Sequence, residues 1–269
     1  FMISINKLIS NTFQALKGKW MQAIFVFFVY NFLLALVQAI PGIGGFLSLI
    51  ISGPLTVGIS IYSLNIINDN FPKAENILDG FKYNLGNVIL AYFILIPIIA
   101  IVGLFFMMIF LIINFWIFLM ILSVSYYQAY EAFTSKTDWE ALLTPFKLLS
   151  FELGFIEPII LILFCVISFC FSFILPWIIA SLPFAMTFYI MAEDTSIDAW
   201  DAVQKSWNMM KGYKIKYLLL NIVLIIFFIP FILLTLFIGL LWVFPFSMVI
   251  SAIFYQQIKI NASNNSTVD

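Results

Sequence analysis

Four long runs without a charged residue dominate this sequence. They cover residues 20–68, 83–130, 158–192 and 217–258, with lengths of 49, 48, 35 and 42 residues. One helical crossing of a hydrocarbon core about 30 Å thick takes about 20 residues. Each run is therefore close to or above the length of two crossings joined by a turn. Because lipid offers no hydrogen bonds to a bare backbone, the runs are predicted to be helical hairpins.

The composition agrees with a membrane protein and argues against several functions. The chain of 269 residues is 64% hydrophobic and 9% charged, against roughly 25% charged residues in soluble proteins. All twelve basic residues are Lys, and the sequence contains no Arg and no His. Without Arg the planar clamp for phosphate is missing, so nucleic acid is not expected as a partner. Without His the commonest general base and metal ligand is missing, so we expect no metal, no cofactor and no enzyme activity.

Each run contains a candidate turn. The turns are placed at residues 41–45 (PGIGG), between Gly103 and Asn114, at residues 175–177 (LPW) and near Gly239. Pro and Gly interrupt helices or supply the unusual backbone angles of a turn. The predicted fold class is therefore an all-α membrane protein with about eight transmembrane helices.

Charged islands precede the runs. They are residues 3–17, 69–82, 131–157 and 193–216. Apolar residues recur in them every three or four positions, which predicts short amphipathic helices. In the fourth island this stripe consists of Trp200, Val203, Trp207 and Met210. Gly212 follows, at the place where a helix end favours positive φ.

The islands align with one another on an aromatic position. The aligned residues are Phe13, Phe81, Phe146 and Trp207, at spacings of 68, 65 and 61. Five residues later stand Gly18, Gly86, Phe151 and Gly212, and the second helices share the prolines Pro54, Pro183 and Pro245. A fixed period of this kind indicates internal repeats, although apolar sequence also aligns by chance. We expect four parallel repeats, about 3–68, 69–130, 131–192 and 193–258, in one domain over 1–258, and a disordered tail over 259–269.

Charge predicts the orientation. All 25 charged residues lie in the islands or at the termini. Hairpins return the chain to the side it left, and Lys-bearing segments beside spans stay in the cytoplasm. The islands and both termini are therefore predicted to be cytoplasmic, in a multi-pass protein of the bacterial inner membrane. The expected interfacial anchors are Phe13, Phe81, Trp139, Phe146, Trp200 and Trp207.

Polar residues end each hairpin on the predicted cytoplasmic side. Six of them are Asp69, Gln128, Glu131, Glu193, Asp194 and Gln256. If the repeats close around an axis, these residues form a polar rim that could bind an amine head group or a divalent ion. The simpler interpretation is that they are solvated helix ends. No Asp, Glu or Lys lies inside a run, which argues against ion-coupled transport.

Four short strings carry a family resemblance. They are ISGPLTVGIS (51–60), ILDGFK (77–82), MMKGYK (209–214) and AIFYQQI (252–258). On these strings the chain resembles a bacterial membrane family catalogued as domain of unknown function 975. That family is related to the membrane domain of some glycerophosphodiester phosphodiesterases. The resemblance implies a polytopic inner-membrane protein and no established chemistry.

Two functions remain open from the sequence. The first is a non-enzymatic scaffold or accessory subunit that binds membrane lipid, a hydrophobic peptide or another membrane protein. The alternative is a transporter or channel for a lipid-like or hydrophobic solute. An enzyme is disfavoured, because its chemistry would depend on carboxylates that all lie near water.

Overall fold

The computed structural model describes residues 4–68, 72–82, 84–135, 168, 172 and 175–266. For residues 118–135 and 264–266 it describes the backbone only. Every regular element in this part of the chain is helical. The helices are α1 (Ile5–Leu16), α2 (Trp20–Gln38), α3 (Gly44–Ile67), α4 (Asp79–Lys82), α5 (Leu85–Ser135), α6 (Leu175–Glu193), α7 (Ala199–Met209), α8 (Lys214–Leu234) and α9 (Leu240–Ser266). A 3-10 helix, Ala74–Leu78, precedes α4, and a second, Leu182–Phe184, interrupts α6.

The chain divides into two compact units. Unit 1 comprises Phe1–Ile98 and Ser181–Asp269, and unit 2 comprises Ile99–Ala180. The described residues contain six helices long and apolar enough to cross a membrane, namely α2, α3, α5, α6, α8 and α9. Buried side chains of α3, α6 and α9 form much of the core of unit 1, and α1, α2, α5, α7 and α8 also contribute to it. The chain is thus an all-helical protein with the architecture of a multi-pass membrane protein.

Two of the predicted hairpin turns are confirmed. The first separates the end of α2 at Gln38 from the start of α3 at Gly44. The last separates the end of α8 at Leu234 from the start of α9 at Leu240. The third turn was placed at residues 175–177, which are helical within α6, and most of the chain before them lies outside the described residues.

The turn predicted between Gly103 and Asn114 is wrong, because α5 runs through it without interruption. Gly103 serves helix packing here, since a Cβ on it would lie 3.1 Å from the Trp177 ring. The Asn114 amide donates to the carbonyl of Phe110 on its own helix at 2.8 Å and to the Ser172 hydroxyl at 2.7 Å. Both breaker-like residues thus make contacts within unit 2, and no Pro-Gly pair forces the backbone to turn.

The amphipathic helices of the first and fourth islands are confirmed as α1 and α7. Gly18 and Gly212 end them with φ of 77° and 80°, as their positions predicted. The second island folds as a 3-10 helix followed by the short α4. There the left-handed residue is Asn84, with φ of 46°, and Gly86 lies inside α5. An Asn side chain tolerates this conformation better than most others do, so the glycine is not needed for it. The third island lies almost entirely outside the described residues.

The face that α7 turns to the protein overlaps in part with the predicted stripe, of which Val203 and Met210 are buried. Its buried residues are Ala199, Ala202, Val203 and Ser206, whereas Trp200 and Trp207 are 59% and 42% exposed. Small side chains let α7 approach its neighbours closely, which indole rings would prevent. Both tryptophans leave a large part of their rings exposed on the surface of the protein.

Small residues on the polar segments meet proline-containing stretches of the long helices. A Cβ on Gly80 would lie 1.9 Å from the carbonyl oxygen of Pro54 in α3. The Ser206 hydroxyl of α7 donates to the carbonyl of Pro183 in α6 at 3.0 Å. On α1, buried Thr12 precedes Phe13, whose ring lies 4.9 Å from that of Phe246, the residue after Pro245 in α9. Three polar segments therefore pack on three long helices, each close to a proline of that helix.

The tail predicted to be disordered is helical as far as Ser266, because α9 continues through Lys259. Its first turn beyond the apolar run has partners in unit 1. Lys259 pairs with Glu193 at 2.5 Å, and the Asn261 amide lies 3.5 Å from the Tyr213 hydroxyl. These side-chain contacts hold the start of the polar tail as a helix.

Candidate functional site

The polar ends of several long helices meet in unit 1. The Lys19 ammonium, just before α2, donates to the carbonyl of Ile66 near the end of α3 at 3.1 Å. The Gln256 amide of α9 donates to the side-chain oxygen of Asn68, which follows α3, at 2.6 Å. We call this region, where α2 begins and α3, α6 and α9 end, the charged end.

A pocket of about 390 Å³ opens at the charged end between α6, α7 and α9. Its lining residues are Ile190, Glu193, Asp194, Lys205, Met209, Tyr255 and Lys259. It therefore has two carboxylates, two ammonium groups and an apolar part formed by one isoleucine, one methionine and a tyrosine ring. The volume lies within the range of pockets that hold small organic molecules, about 300–1,000 Å³.

Glu193 is the most firmly held polar group in the pocket. Its carboxylate accepts hydrogen bonds from the Tyr255 hydroxyl at 2.9 Å and from the Lys259 ammonium at 2.5 Å. The Tyr255 ring stacks on Tyr189 of α6, with ring centres 5.7 Å apart. The Tyr189 hydroxyl in turn donates to the carbonyl of Met248 at 3.0 Å. Glu193 is thereby fixed between α6 and α9.

Asp194 and Lys205 stand at the pocket without forming a direct ion pair with each other. Asp194 accepts from the Ser196 hydroxyl at 2.7 Å and from the Ser196 backbone N–H at 3.1 Å. These bonds from Ser196, with the nearby charge of Lys205, lower the pKa of Asp194 below its ordinary value. The carboxylate therefore keeps its negative charge into mildly acidic solution, while the Lys205 ammonium stays available for an anionic group.

The comparisons with known proteins give one match. The family described as "Protein of unknown function (DUF975)" matches residues 4–262. The chain belongs to this family. No curated protein and no solved structure matches the chain. The membership confirms the resemblance drawn from the sequence, whereas the relation to the membrane domain of glycerophosphodiester phosphodiesterases stays a prediction.

The pocket in this family member contains two of the six predicted rim residues, Glu193 and Asp194. Gln256 lies at the same charged end but bonds to Asn68 and does not line the pocket. Asp69 lies outside the described residues, as do the side chains of Gln128 and Glu131. Because Glu193 and Asp194 are neighbours in the sequence, their place in one pocket does not test the predicted rim, which stays a prediction.

Three polar residues of the pocket were missed by the sequence analysis: Lys205, Tyr255 and Lys259. They come from α7 and α9, and no spacing within one helix connects them to Glu193. Only the packing of α6 against both helices does so. Tyr255 lies next to Gln256 in the family string AIFYQQI, which was the available signal for that residue.

The predicted interfacial anchors have different surroundings. Trp207 is partly exposed, and the Lys214 ammonium lies 4.0 Å from the centre of its ring. Phe13 is also partly exposed beside Phe246, while Phe81 is half-buried against the core. Trp139 and Phe146 lie outside the described residues.

The part of the chain that the structure describes offers little support for a metal-binding site. No group of three or more His, Cys, Asp or Glu side chains close enough to hold a metal ion occurs there. The pocket offers two carboxylates accompanied by two lysines, which would repel a divalent cation. Of the two ligands considered for the rim, this arrangement favours an amine-bearing head group.

A second polar cluster links the second island to α3. Asp79 accepts from the Lys82 ammonium at 2.7 Å and from the Asn76 amide at 2.6 Å, and the Asn65 amide of α3 lies 3.3 Å from the Asn76 side-chain oxygen. Burial raises the pKa of Asp79, but the bonds from Lys82 and Asn76 and the charge of Lys82 outweigh it, so the pKa is lowered.

The lowered pKa of Asp79 predicts an acid-sensitive contribution to stability. A carboxylate with a lower pKa in the folded state stabilises the fold above its unfolded pKa, about 3.9. That contribution is lost as the pH falls through the lower, folded value. The Asp79→Asn variant, measured by thermal unfolding between pH 7 and pH 3, should lose part of the parent's decline in melting temperature on acidification. An unchanged pH profile would show that Asp79 contributes nothing.

Proposed function

We propose that this protein is a non-enzymatic, lipid-binding scaffold of the bacterial inner membrane, whose pocket holds a head group that carries both a phosphate and an amine. The pocket at the end of α6 carries this proposal. It combines charges of both signs with an apolar part, at the end of helices long enough to cross a membrane. That combination matches the junction between a zwitterionic head group and its acyl chains.

The charges of the pocket suggest how such a head group is held. Lys205 is exposed at the pocket and has no hydrogen bond or ion pair with the other described residues. It is the natural partner of a phosphate, because an ammonium can donate up to three hydrogen bonds to it. Asp194, kept as a carboxylate by Ser196, is the partner of the amine. The pair of Glu193 and Lys259 is already satisfied and closes one side of the pocket.

The proposed orientation follows from the charged end. Lys19, Lys205 and Lys259 lie there with the ends of α3 and α6. Because lysines beside spans stay in the cytoplasm, we place the charged end and both termini on the cytoplasmic side. The head group would then come from the inner leaflet.

The proposed architecture is a set of internal repeats. It is supported by the packing of α1, α4 and α7 on long helices, where Thr12, Gly80 and Ser206 each precede the aligned aromatic residue. All three positions are buried. A repeat-built body with polar helices at one end suits a scaffold, since it presents several similar surfaces to lipid or to another membrane protein.

The alternative function is movement of a lipid-like solute. It is favoured by the interruption of α6 at Leu182–Phe184, because broken helices often line a path or a binding site in transporters. Reconstitution into liposomes with fluorescent lipid analogues separates the two functions. A scaffold leaves their distribution between leaflets unchanged, whereas a lipid transporter accelerates their exchange.

Native mass spectrometry of the protein extracted with phosphatidylethanolamine tests the proposed function. We expect a retained lipid in the parent and about tenfold weaker retention in Lys205→Gln, the effect of losing one charge-assisted hydrogen bond worth about 1.5 kcal/mol. Asp194→Asn should reduce the retention of amine-bearing lipids more than the retention of phosphatidylglycerol.

The matched controls are Lys7→Gln on the exposed face of α1 and Asp201→Asn on the exposed face of α7. Both remove a charge of the same sign outside the pocket. Equal loss of lipid in the controls and in the pocket variants would reduce the effect to net charge and contradict the proposal.

A further inference from the structure

The turn between α8 and α9 exposes an unusually apolar surface. Leu234 and Leu236 are 84% and 81% exposed. Phe237 and Ile238 beside them are also exposed, and Thr235 is the only residue with a polar side chain from Leu233 to Leu241. In water such a tip would carry Gly, Asn, Asp or Ser.

The backbone N–H groups of this turn donate to acceptors within the turn. The N–H of Leu236 donates to Leu233 at 3.2 Å, and the N–H of Phe237 donates to Ile232 at 2.9 Å. Reaching these carbonyls places Leu236 and Phe237 at φ of 49° and 69°, a conformation that bulky side chains rarely adopt. The N–H groups of this turn are therefore satisfied, although two of its residues adopt an unfavourable positive φ.

The polar side chain of the turn is satisfied in the same way. The Thr235 hydroxyl donates to the carbonyl of Phe231 at 2.7 Å and accepts from the N–H of Gly239 at 2.9 Å. The N–H groups of Ile238 and Leu240 also donate to carbonyls within the turn. In water these N–H groups need no acceptor within the protein, whereas in hydrocarbon they do.

The turn between α2 and α3 offers a direct contrast. There Pro41 has no N–H, Gly42 supplies the positive φ of 79°, and Gln38 ends the preceding helix. Within the described residues, the N–H groups of Gly42 and Ile43 have no hydrogen-bond acceptor. Such a turn needs water as a partner.

The length of α8 is compatible with a turn that stays within the membrane. Lys216, whose ammonium lies 5.4 Å from the centre of the Tyr213 ring near the start of the helix, belongs to the charged end. From Lys216 to Leu234 the helix rises about 27 Å at about 1.5 Å per residue. A hydrocarbon core is about 30 Å thick. Because α2, with 19 residues, is no longer than α8, the contrast between the two turns rests on their hydrogen bonds and side chains and not on helix length.

We propose that the α8–α9 turn lies among the acyl chains of the far leaflet and does not reach water, whereas the α2–α3 turn does. Its partner is lipid hydrocarbon, which covers the exposed leucine and phenylalanine side chains and competes for no hydrogen bond. The two hairpins of unit 1 therefore end at different depths. This inference does not depend on the pocket or on its ligand.

Nitroxide spin labels at the two turns test this inference. In the full chain with Cys165 and Cys170 replaced by alanine, single cysteines at Phe237 and Ile43 are labelled and the protein is reconstituted in phosphatidylethanolamine–phosphatidylglycerol liposomes. Collision rates with oxygen, which concentrates in hydrocarbon, and with a water-soluble nickel chelate are then measured. We expect the label at 237 to collide at least several-fold more with oxygen than with the chelate, and the label at 43 to show the reverse preference.

Two results would overturn the inference. If the chelate collides with the label at 237 as often as with the label at 43, the α8–α9 turn lies in water. A label at 237 that neither reagent reaches places it against a second copy or another membrane protein. Ile238→Cys is the second variant, because Ile238 is equally part of the exposed tip and has no positive φ. It keeps the test decisive if Phe237→Cys does not fold.

Discussion

Replacing Gly58 by alanine is expected to lower the stability of unit 1 by about 3 kcal/mol or more, the upper range for overpacking. A Cβ at this position of α3 would lie 1.9 Å from the carbonyl oxygen of Ile77 and 2.9 Å from that of Asn76. Both obstacles are backbone atoms, which cannot rotate away as a side chain can. The 3-10 helix Ala74–Leu78 would have to leave α3, and the polar cluster around Asp79 would separate from Asn65.

Thermal unfolding of purified protein in detergent measures this effect, with Gly86→Ala as the control. Gly86 lies inside α5, and a Cβ on it meets nothing within 4 Å. That substitution should leave stability unchanged or raise it by about 0.5–1 kcal/mol, the ordinary gain of alanine over glycine in a helix. If Gly58→Ala has the same melting temperature as Gly86→Ala, the close approach of the second island to α3 is refuted.

Replacing Ser206 by alanine is the second large expected effect, a loss of about 2–3 kcal/mol. The buried Ser206 hydroxyl donates to Pro183 and accepts from the N–H of Met186 at 3.2 Å. Alanine removes both bonds and leaves two backbone groups of α6 buried without a partner. Because proline and the 3-10 turn already interrupt α6 here, no helical bond replaces the lost ones.

The Ser206 effect should extend to the pocket, since α6 and α7 both line it. We expect Ser206→Ala to lower lipid retention together with melting temperature, whereas Ser10→Ala on the exposed face of α1 changes neither. A Ser206→Ala protein with parental stability would mean that water or a local shift satisfies α6 and that the hydroxyl does not hold the helices together.

The parts of the fold predicted correctly rest on local chemistry. Uncharged runs of about 42–49 residues must be helical in lipid, and the Pro-Gly sequence at residues 41–45 can only be a turn. Gly18 and Gly212 likewise end α1 and α7 because a left-handed residue is needed there. Each of these inferences depends on a few neighbouring residues and on the properties of the solvent.

What the sequence could not predict concerns packing between distant residues. Helical spacing shows that α7 has an apolar stripe, but it does not show that Val203 is buried while Trp200 and Trp207 are exposed. Nor do local patterns show that Gly103 packs beside Trp177, over 70 residues away in the chain. The pocket depends in the same way on Lys205 and Lys259 reaching the end of α6.

Cysteine labelling of sealed membrane vesicles tests the central claim, that polar helices gather at one cytoplasmic end of hairpin spans. Single cysteines at Lys7, Lys205 and Ile43, in a background without native cysteines, are treated with a membrane-impermeant maleimide. The account predicts that positions 7 and 205 react only in inside-out vesicles and position 43 only in right-side-out vesicles. Reaction of position 7 or 205 from the outside, or of position 43 from the inside, would contradict it.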